Sequence, residues 1–177
     1  QTKFLSTSIT NSYTNNDNFI LELVEGMMSL SRQKIGALII LERKTGINEI
    51  IQTGTKIDGE LTRQLLINIF IPNTPLHDGA VVVRKNKIAA AGCFLPLTEN
   101  KFLNQELGTR HRAALGISKR SDCISLVVSE ETGHISIAQN GKLYKDLKED
   151  TLKSLLKKGL EEEQTKYSFL KKRGEQK

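Results

Sequence analysis

The stretch Ala80-Val81-Val82-Val83-Arg84-Lys85-Asn86-Lys87-Ile88-Ala89-Ala90-Ala91-Gly92-Cys93-Phe94-Leu95 decides the fold class. Residues 80–83 and 88–95 are apolar runs of strand length, and Lys85-Asn86 between them reads as a tight turn. A short, nearly continuous apolar run is the pattern of a strand covered on both faces. Working outward, residues 35–41 form another such run, and residues 49–53 a shorter one after the Thr45-Gly46 turn. Downstream, residues 123–129 and 134–138 have the pattern of a hairpin around Glu130-Glu131-Thr132-Gly133.

Between the strands the period changes to that of helices. From Asp17, a suitable N-cap, the apolar residues Phe19, Ile20, Leu23, Val24, Met27, Met28 and Leu30 recur at helical spacing. Asp58 is expected to cap a second helix carrying Leu61, Leu65, Leu66, Ile69 and Phe70, which Pro72 and Pro75 stop. Residues 99–107 suit a helical turn or two and residues 109–117 a further helix. Residues 145–172 are helix-forming and highly charged, with Leu147, Leu152, Leu155, Leu156 and Leu160 on one side and Gly159 weakening the middle. Strands interleaved with helices mean α/β. Hairpins call for antiparallel pairs and the intervening helices for crossovers, so the strand order stays open.

Composition removes several classes. With 177 residues, 38% hydrophobic and 26% charged, and only 3 prolines, the chain is neither disordered nor collagen-like. Its longest apolar stretches, 35–41 and 88–97, fall short of the roughly 20 residues that a membrane helix needs. Cys93 and Cys123 lie in strand-like runs without metal-binding spacing, which reads as two buried thiols. No secretory signal is present, and the chain opens on Gln1 rather than Met, so a longer natural protein is expected. The net charge of +6 is unevenly placed: residues 142–177 hold 11 Lys and Arg against 7 Asp and Glu, leaving the rest nearly neutral. Such a tail suits a solvated face, an RNA or an anionic membrane.

Three clusters could carry chemistry. In Pro75-Leu76-His77-Asp78-Gly79-Ala80 a carboxylate stands at the mouth of a buried strand, before two residues that let a ligand approach the backbone. Asp78 and His77 could hold a metal, or the segment is a plain Asp-Gly turn. In Gly108-Thr109-Arg110-His111-Arg112, Thr109 as N-cap places three basic groups in the first turn of a helix, the end whose dipole disfavours cations. A phosphate would answer them, since free N–H groups and arginine forks converge there; a solvated basic turn is the alternative. Ser129-Glu130-Glu131 ends a strand, facing a cleft or merely turning a hairpin. The P-loop, the Gly-x-Gly-x-x-Gly fingerprint and the Gly-x-Ser-x-Gly elbow are all missing. Three unpaired histidines argue against a zinc hydrolase. Aromatic residues make up 5% of the chain without basic interleaving, which argues against a single-strand stacking platform.

Asp78-Gly79-Ala80 followed by Arg110-His111-Arg112 resembles the paired signature of the diadenylate cyclase (DAC) domain. The surrounding Leu65-Leu66-Ile67-Asn68-Ile69-Phe70-Ile71-Pro72-Asn73-Thr74-Pro75-Leu76-His77-Asp78-Gly79-Ala80 is similar to its membrane-tethered bacterial branch. The resemblance covers roughly residues 35–141. It implies a single globular domain with a mixed central β-sheet flanked by helices, the catalytic domain at 34–141 and a connector helix at 17–33; residues 1–16, polar and rich in Ser, Thr and Asn, read as a flexible lead-in, and 142–177 as a charged helical segment.

It further implies condensation of two ATP into cyclic di-AMP and two pyrophosphates at a face-to-face homodimer. Asp78 would be the catalytic carboxylate, holding Mn²⁺, Mg²⁺ or Co²⁺ with His77. Arg110, His111 and Arg112, with Thr109, would hold the triphosphate. Gly79, Ala80 and the backbone around Leu95 would border the nucleotide, with Ser129 and Glu131 as weaker carry-overs. Phe94 stands where many relatives carry Tyr and would stack on a base. The branch implies attachment to the cytoplasmic face of the cell membrane through helices absent here. It also implies interactions with a YbbR-repeat regulator and phosphoglucosamine mutase, and no nucleic acid polymer as partner. The alternative is a catalytically silent adenine-nucleotide sensor. An RNA-binding module using the basic tail is a third reading.

Overall fold

Strand β1 (Ala37–Leu41) is buried at every residue, and its side chains alternate between two cores. Ala37, Ile39 and Leu41 enter one core, Leu38 and Ile40 the other. This period-two division, with both faces apolar, belongs to a strand sandwiched between helical layers. β3 (Ala80–Arg84) divides the same way, Val81 and Val83 against Ala80 and Val82. The structure is a computed structural model that describes residues 3–95 and 107–160, the side chains of 3–15 excepted.

The described strands form one seven-stranded sheet in the order β2-β4-β3-β1-β5-β6-β7. The remaining strands are β2 (Thr55–Glu60), β4 (Lys87–Cys93), β5 (Ile124–Val128), β6 (Ile135–Gln139) and β7 (Lys142–Tyr144). β1 and β3 are parallel, with Ile39 opposite Val81, and the other pairs are antiparallel. The sheet is therefore mixed, as the resemblance implied. Helices α1 (Lys3–Arg32) and α3 (Arg63–Phe70) cover one face, joined there by Leu152 and Leu156 of a helix, α5, over residues 149–160. The other face takes α4 (Thr109–Arg120) through Ala113, Ala114 and Ile117, with Ile50 of the short α2 (Asn48–Ile51).

The turn at Lys85-Asn86 has positive φ at both residues, 49° and 64°, the conformation that matches the twist of a two-residue hairpin. Other expectations are corrected. The helix expected from Asp17 begins at Lys3, because neither Gly nor Pro interrupts the Ser/Thr/Asn-rich residues before Gly26. Residues 49–53 are not a strand: Ile47 and Ile50 are buried three positions apart, on one side of the helical turn α2. The strand follows instead, as the largely exposed β2, which has little apolar signal to show in a sequence. Asp58 lies in β2 with φ 50°, where the register to β4 shifts, and α3 is capped by Thr62, whose side chain accepts from Leu65 N–H at 3.2 Å. Gly159 of α5 is buried against Ile124, where a Cβ would stand 2.7 Å from the Ile124 side chain, so the bare backbone makes room for the sheet. The helical turns expected at 99–107 lie almost wholly outside the described residues; of the charged segment expected to be helical from 142–145 onward, residues 142–144 form β7, the helix starts at residue 149, and residues past 160 lie outside the described ones.

Candidate nucleotide-binding site

The sheet directions bring the three sequence clusters to one edge. β1 and β3, being parallel, both start there; β4 and β5, antiparallel to them, end there; β6 starts there. His77, Asp78 and Gly79 lead into β3, Phe94 and Leu95 leave β4, and Ser129-Glu130-Glu131 leaves β5. α4 begins at the same edge, because Arg110 meets Glu130.

Between α4 and the β5–β6 turn lies a cavity of about 300 Å³. Thr109, Arg110, His111, Ser129 and Glu131 of the expected residues line it, together with Glu130, His134, Ser136, Lys145 and Asp146. Thr109 is the first helical residue rather than the cap; Gly108 caps α4, without a side-chain bond. The helix thus presents unpaired N–H groups and the positive end of its dipole to the cavity, a setting that favours an anion. Arg112 is half-buried in the first turn and does not line the cavity.

Arg110 Nη1 donates to Glu130 Oε2 at 2.7 Å. The pair packs on Gly36, just ahead of β1, where a Cβ would stand 2.5 Å from Arg110 Nη1 and 2.9 Å from Glu130 Oε2. The His111 ring lies 3.3 Å, Nε2 to Oγ, from the buried Ser136. Burial, and then the charge of Lys145, hold its pKa below the ordinary 6.5, so a neutral imidazole faces the cavity at neutral pH. At the rim, His134 Nδ1 and Asp146 Oδ1 are 2.5 Å apart.

The Asp78 half of the edge lies on the other side of β1, two strand spacings or roughly 10 Å from the end of β5. Asp78 is exposed. His77 Nδ1 lies 2.6 Å from the Thr74 carbonyl oxygen, which can only accept, so Nδ1 is the donor and Nε2 is the ring nitrogen left for a ligand. Gly79 has φ 99°, and a Cβ there would sit 2.6 Å from the Cys93 carbonyl oxygen; the glycine is needed by the β3–β4 backbone itself. Ala80 is fully buried and Leu95 packs on the second core, whereas Phe94 is 65% exposed, its N–H bonded to Thr53 Oγ1 at 2.9 Å. Cys93 and Cys123 are free and buried, and burial pushes the Cys93 thiol up to about 11, which leaves no thiolate for covalent chemistry.

Residues 24–143 match the DAC family model, described as DisA bacterial checkpoint controller nucleotide-binding. The chain belongs to the DAC family. Cyclic di-AMP synthase CdaA of Bacillus subtilis (strain 168) is 54% identical over 127 residues, 72% of this chain and 46% of that protein. Diadenylate cyclase of Listeria monocytogenes is 53% identical over 131 residues, 74% of this chain and 48% of that one. The chain thus spans about half the length of these curated relatives. Among solved structures, a double cysteine mutant of DacA from Staphylococcus aureus superposes with TM-score 0.80 at 42% identity, covering 82% of this chain and 97% of its own. A hypothetical membrane spanning protein from Bacillus cereus gives TM-score 0.68 at 50% identity, covering 72% of this chain and 62% of its own.

The DAC fold thus accounts for the sheet edge, and the structure adds residues that motif reading passed over. Gly36, His134, Lys145 and Asp146 border the cavity or hold its residues. Gly36 lies inside an apolar run, His134 reads as the start of a strand, and Lys145 and Asp146 read as the start of the charged helical segment. Among the described residues no three His, Cys, Asp or Glu side chains cluster to hold a metal. The exposed Asp78 carboxylate and the His77 imidazole, adjacent in sequence, are ligand types that fit a hard divalent ion completed by further oxygen ligands.

Proposed function

We propose that this chain is the catalytic part of a diadenylate cyclase, condensing two ATP into cyclic di-AMP and two pyrophosphates. The observation that carries the reading is the convergence of Arg110, His111, Ser129 and Glu131 on one cavity, at the sheet edge where Asp78 precedes β3. The N-terminus of α4 and Arg110 receive the triphosphate. The neutral His111 donates or accepts a hydrogen bond without adding charge. Phe94, exposed beside Leu95, supports the adenine by stacking.

Each 3′-oxygen attacks the α-phosphorus of the facing ATP; a phosphorus–oxygen bond forms, the α–β anhydride bond breaks, and pyrophosphate leaves with the electron pair. The hydroxyl proton passes to the Asp78 carboxylate and on to solvent. Asp78 and His77 Nε2 would hold Mn²⁺, Mg²⁺ or Co²⁺, whose charge acidifies the hydroxyl and neutralises phosphate. The rest is positioning and charge neutralisation, as phosphoryl chemistry requires.

One cavity holds one ATP, so closing two 3′–5′ links needs two copies of this edge face to face, an isologous dimer. Specific activity should then fall on dilution below the dimerisation constant. No helix among the described residues is long and apolar enough to cross a membrane. The Bacillus cereus neighbour's membrane-spanning description supports a tethered full-length protein, with this domain at the cytoplasmic face of the membrane. The YbbR-repeat regulator and phosphoglucosamine mutase remain proposed partners on the family resemblance.

Incubation with ATP and Mn²⁺, followed by mass detection of cyclic di-AMP, tests the reading. Product that disappears in Asp78→Asn supports it. ATP bound at high protein concentration without product would favour the silent sensor.

A further inference from the structure

We propose that Lys145 is a substrate-binding residue of this site, the cation that takes the terminal phosphates of ATP and stays with them as pyrophosphate departs. The assignment rests on the nucleotide-site reading above and adds to it a residue that lies outside both motif clusters.

Lys145 lines the same cavity as Arg110 and His111. Its backbone is held on both sides. Tyr144 before it pairs with Ile137 across β6–β7, and Leu147 after it donates its N–H to the Ile135 carbonyl at 2.9 Å. Asp146 between them adopts φ 55° and lies 2.5 Å from His134 Nδ1. A positive φ at Asp is an available but uncommon conformation, here pinned by three flanking contacts. The base of the lysine therefore does not wander, and the cost of ordering its side chain on a ligand is reduced.

The charges around the cavity leave this position for an anion. Arg110 is paired with Glu130 at 2.7 Å, and the Asp146 carboxylate is in hydrogen-bond contact with the His134 ring. Lys145 makes no ion pair among the described residues, and its charge is felt at the His111 imidazole. Glu131 is the remaining carboxylate on the lining. A phosphate chain entering from α4 thus meets an ammonium whose attraction is not already spent.

Position along the edge says which phosphates these are. Asp78 precedes β3 and Lys145 follows β7, four strand spacings apart across β1, β5 and β6, roughly 19 Å. The reacting α-phosphorus belongs on the Asp78 side, so the β- and γ-phosphates extend toward β7. There Lys145 neutralises the charge that grows as the α–β bond breaks.

The test compares ATP and AMP binding by titration calorimetry, and steady-state turnover, for the wild-type chain, Lys145→Ala and Lys145→Arg. Lys145→Ala is expected to weaken ATP binding about tenfold, the loss of one charge-assisted contact, with AMP binding unchanged. KM should rise in step, and Lys145→Arg should restore most of the loss. In Lys145→Ala the His111 imidazole resonance should titrate closer to its ordinary value, an effect that a merely structural lysine beyond reach of the cavity would not give. Unchanged ATP affinity, or equal weakening of ATP and AMP, overturns the assignment. A wild-type chain that binds ATP but makes no cyclic product would overturn the cyclase reading alone, leaving the binding comparison to decide Lys145.

Discussion

Arg110 Nη1 and Glu130 Oε2 meet at 2.7 Å over the bare backbone of Gly36, tying the first turn of α4 to the end of β5 and the entry of β1. The missing Cβ makes room for this pair. Gly36→Ala would place a methyl 2.5 Å from a guanidinium nitrogen at the end of a flexible side chain. Arg110 would move and the backbone stay. The expected outcome is a stability loss of at most about 1 kcal/mol, because Glu130 is largely exposed, and a several-fold rise in KM for ATP. Thermal melting and steady-state kinetics check both; a large melting shift with unchanged KM would mean that Arg110 does not serve the nucleotide.

Asp78 is exposed on the loop ahead of β3 and takes no part in the core. Asp78→Asn should therefore leave the melting temperature and ATP binding nearly unchanged. Turnover should fall by at least about a hundredfold, as removal of a proton acceptor does. Loss of ATP binding along with turnover would make Asp78 a binding or structural group.

His111 gives a pH signature. Burial and Lys145 hold its folded-state pKa below the ordinary 6.5. The unfolded chain takes up a proton that the folded chain refuses, so this contribution to stability is complete above 6.5 and is lost as pH falls from there toward the folded value. Melting temperatures measured from about pH 8 down to about pH 5 should decline less steeply in His111→Gln than in the wild type. Parallel curves would contradict the assignment.

At the opposite end of the sheet Glu42 accepts from Arg84 Nη2 at 2.8 Å and from Arg84 Nε, and from Ile47 N–H at 2.8 Å. The Arg84 bond holds the Glu42 carboxyl below its ordinary 4.5, so its stabilisation is present above that value and is lost as pH falls through the lowered one. Glu42→Gln should cost about 1–2 kcal/mol, less than a fully buried pair, because Arg84 keeps partial access to water. Activity per folded molecule should not change. A selective loss of kcat would show that the two ends of the sheet are coupled.

The sequence was most legible where burial imposes a strict period. β1, β3, β4 and the β5–β6 hairpin announced themselves as apolar runs, and the Lys85-Asn86 turn by its length. β2 was missed because an exposed edge strand reading Thr55-Lys56-Ile57-Asp58-Gly59-Glu60 has no apolar face to display. β7 was missed although Asn140-Gly141, with φ 51° and 73°, is a strong hairpin signal; only three residues of strand follow it. Of the site, the two motif clusters were readable because their residue types are unusual in context, cations at a helix start above all. Gly36 and Lys145 were not, since their roles depend on which strand ends meet at an edge, and strand order does not follow from local pattern.

The central claim is that two separate ATP molecules are joined. The most direct measurement incubates the chain with Mn²⁺ and an equal mixture of unlabelled and heavy-isotope ATP, and resolves the products by mass. The expected products are cyclic di-AMP in unlabelled, singly labelled and doubly labelled forms, with pyrophosphate released and none of these formed by Asp78→Asn. Bound ATP with no cyclic product, or a product containing a single adenosine, would contradict it.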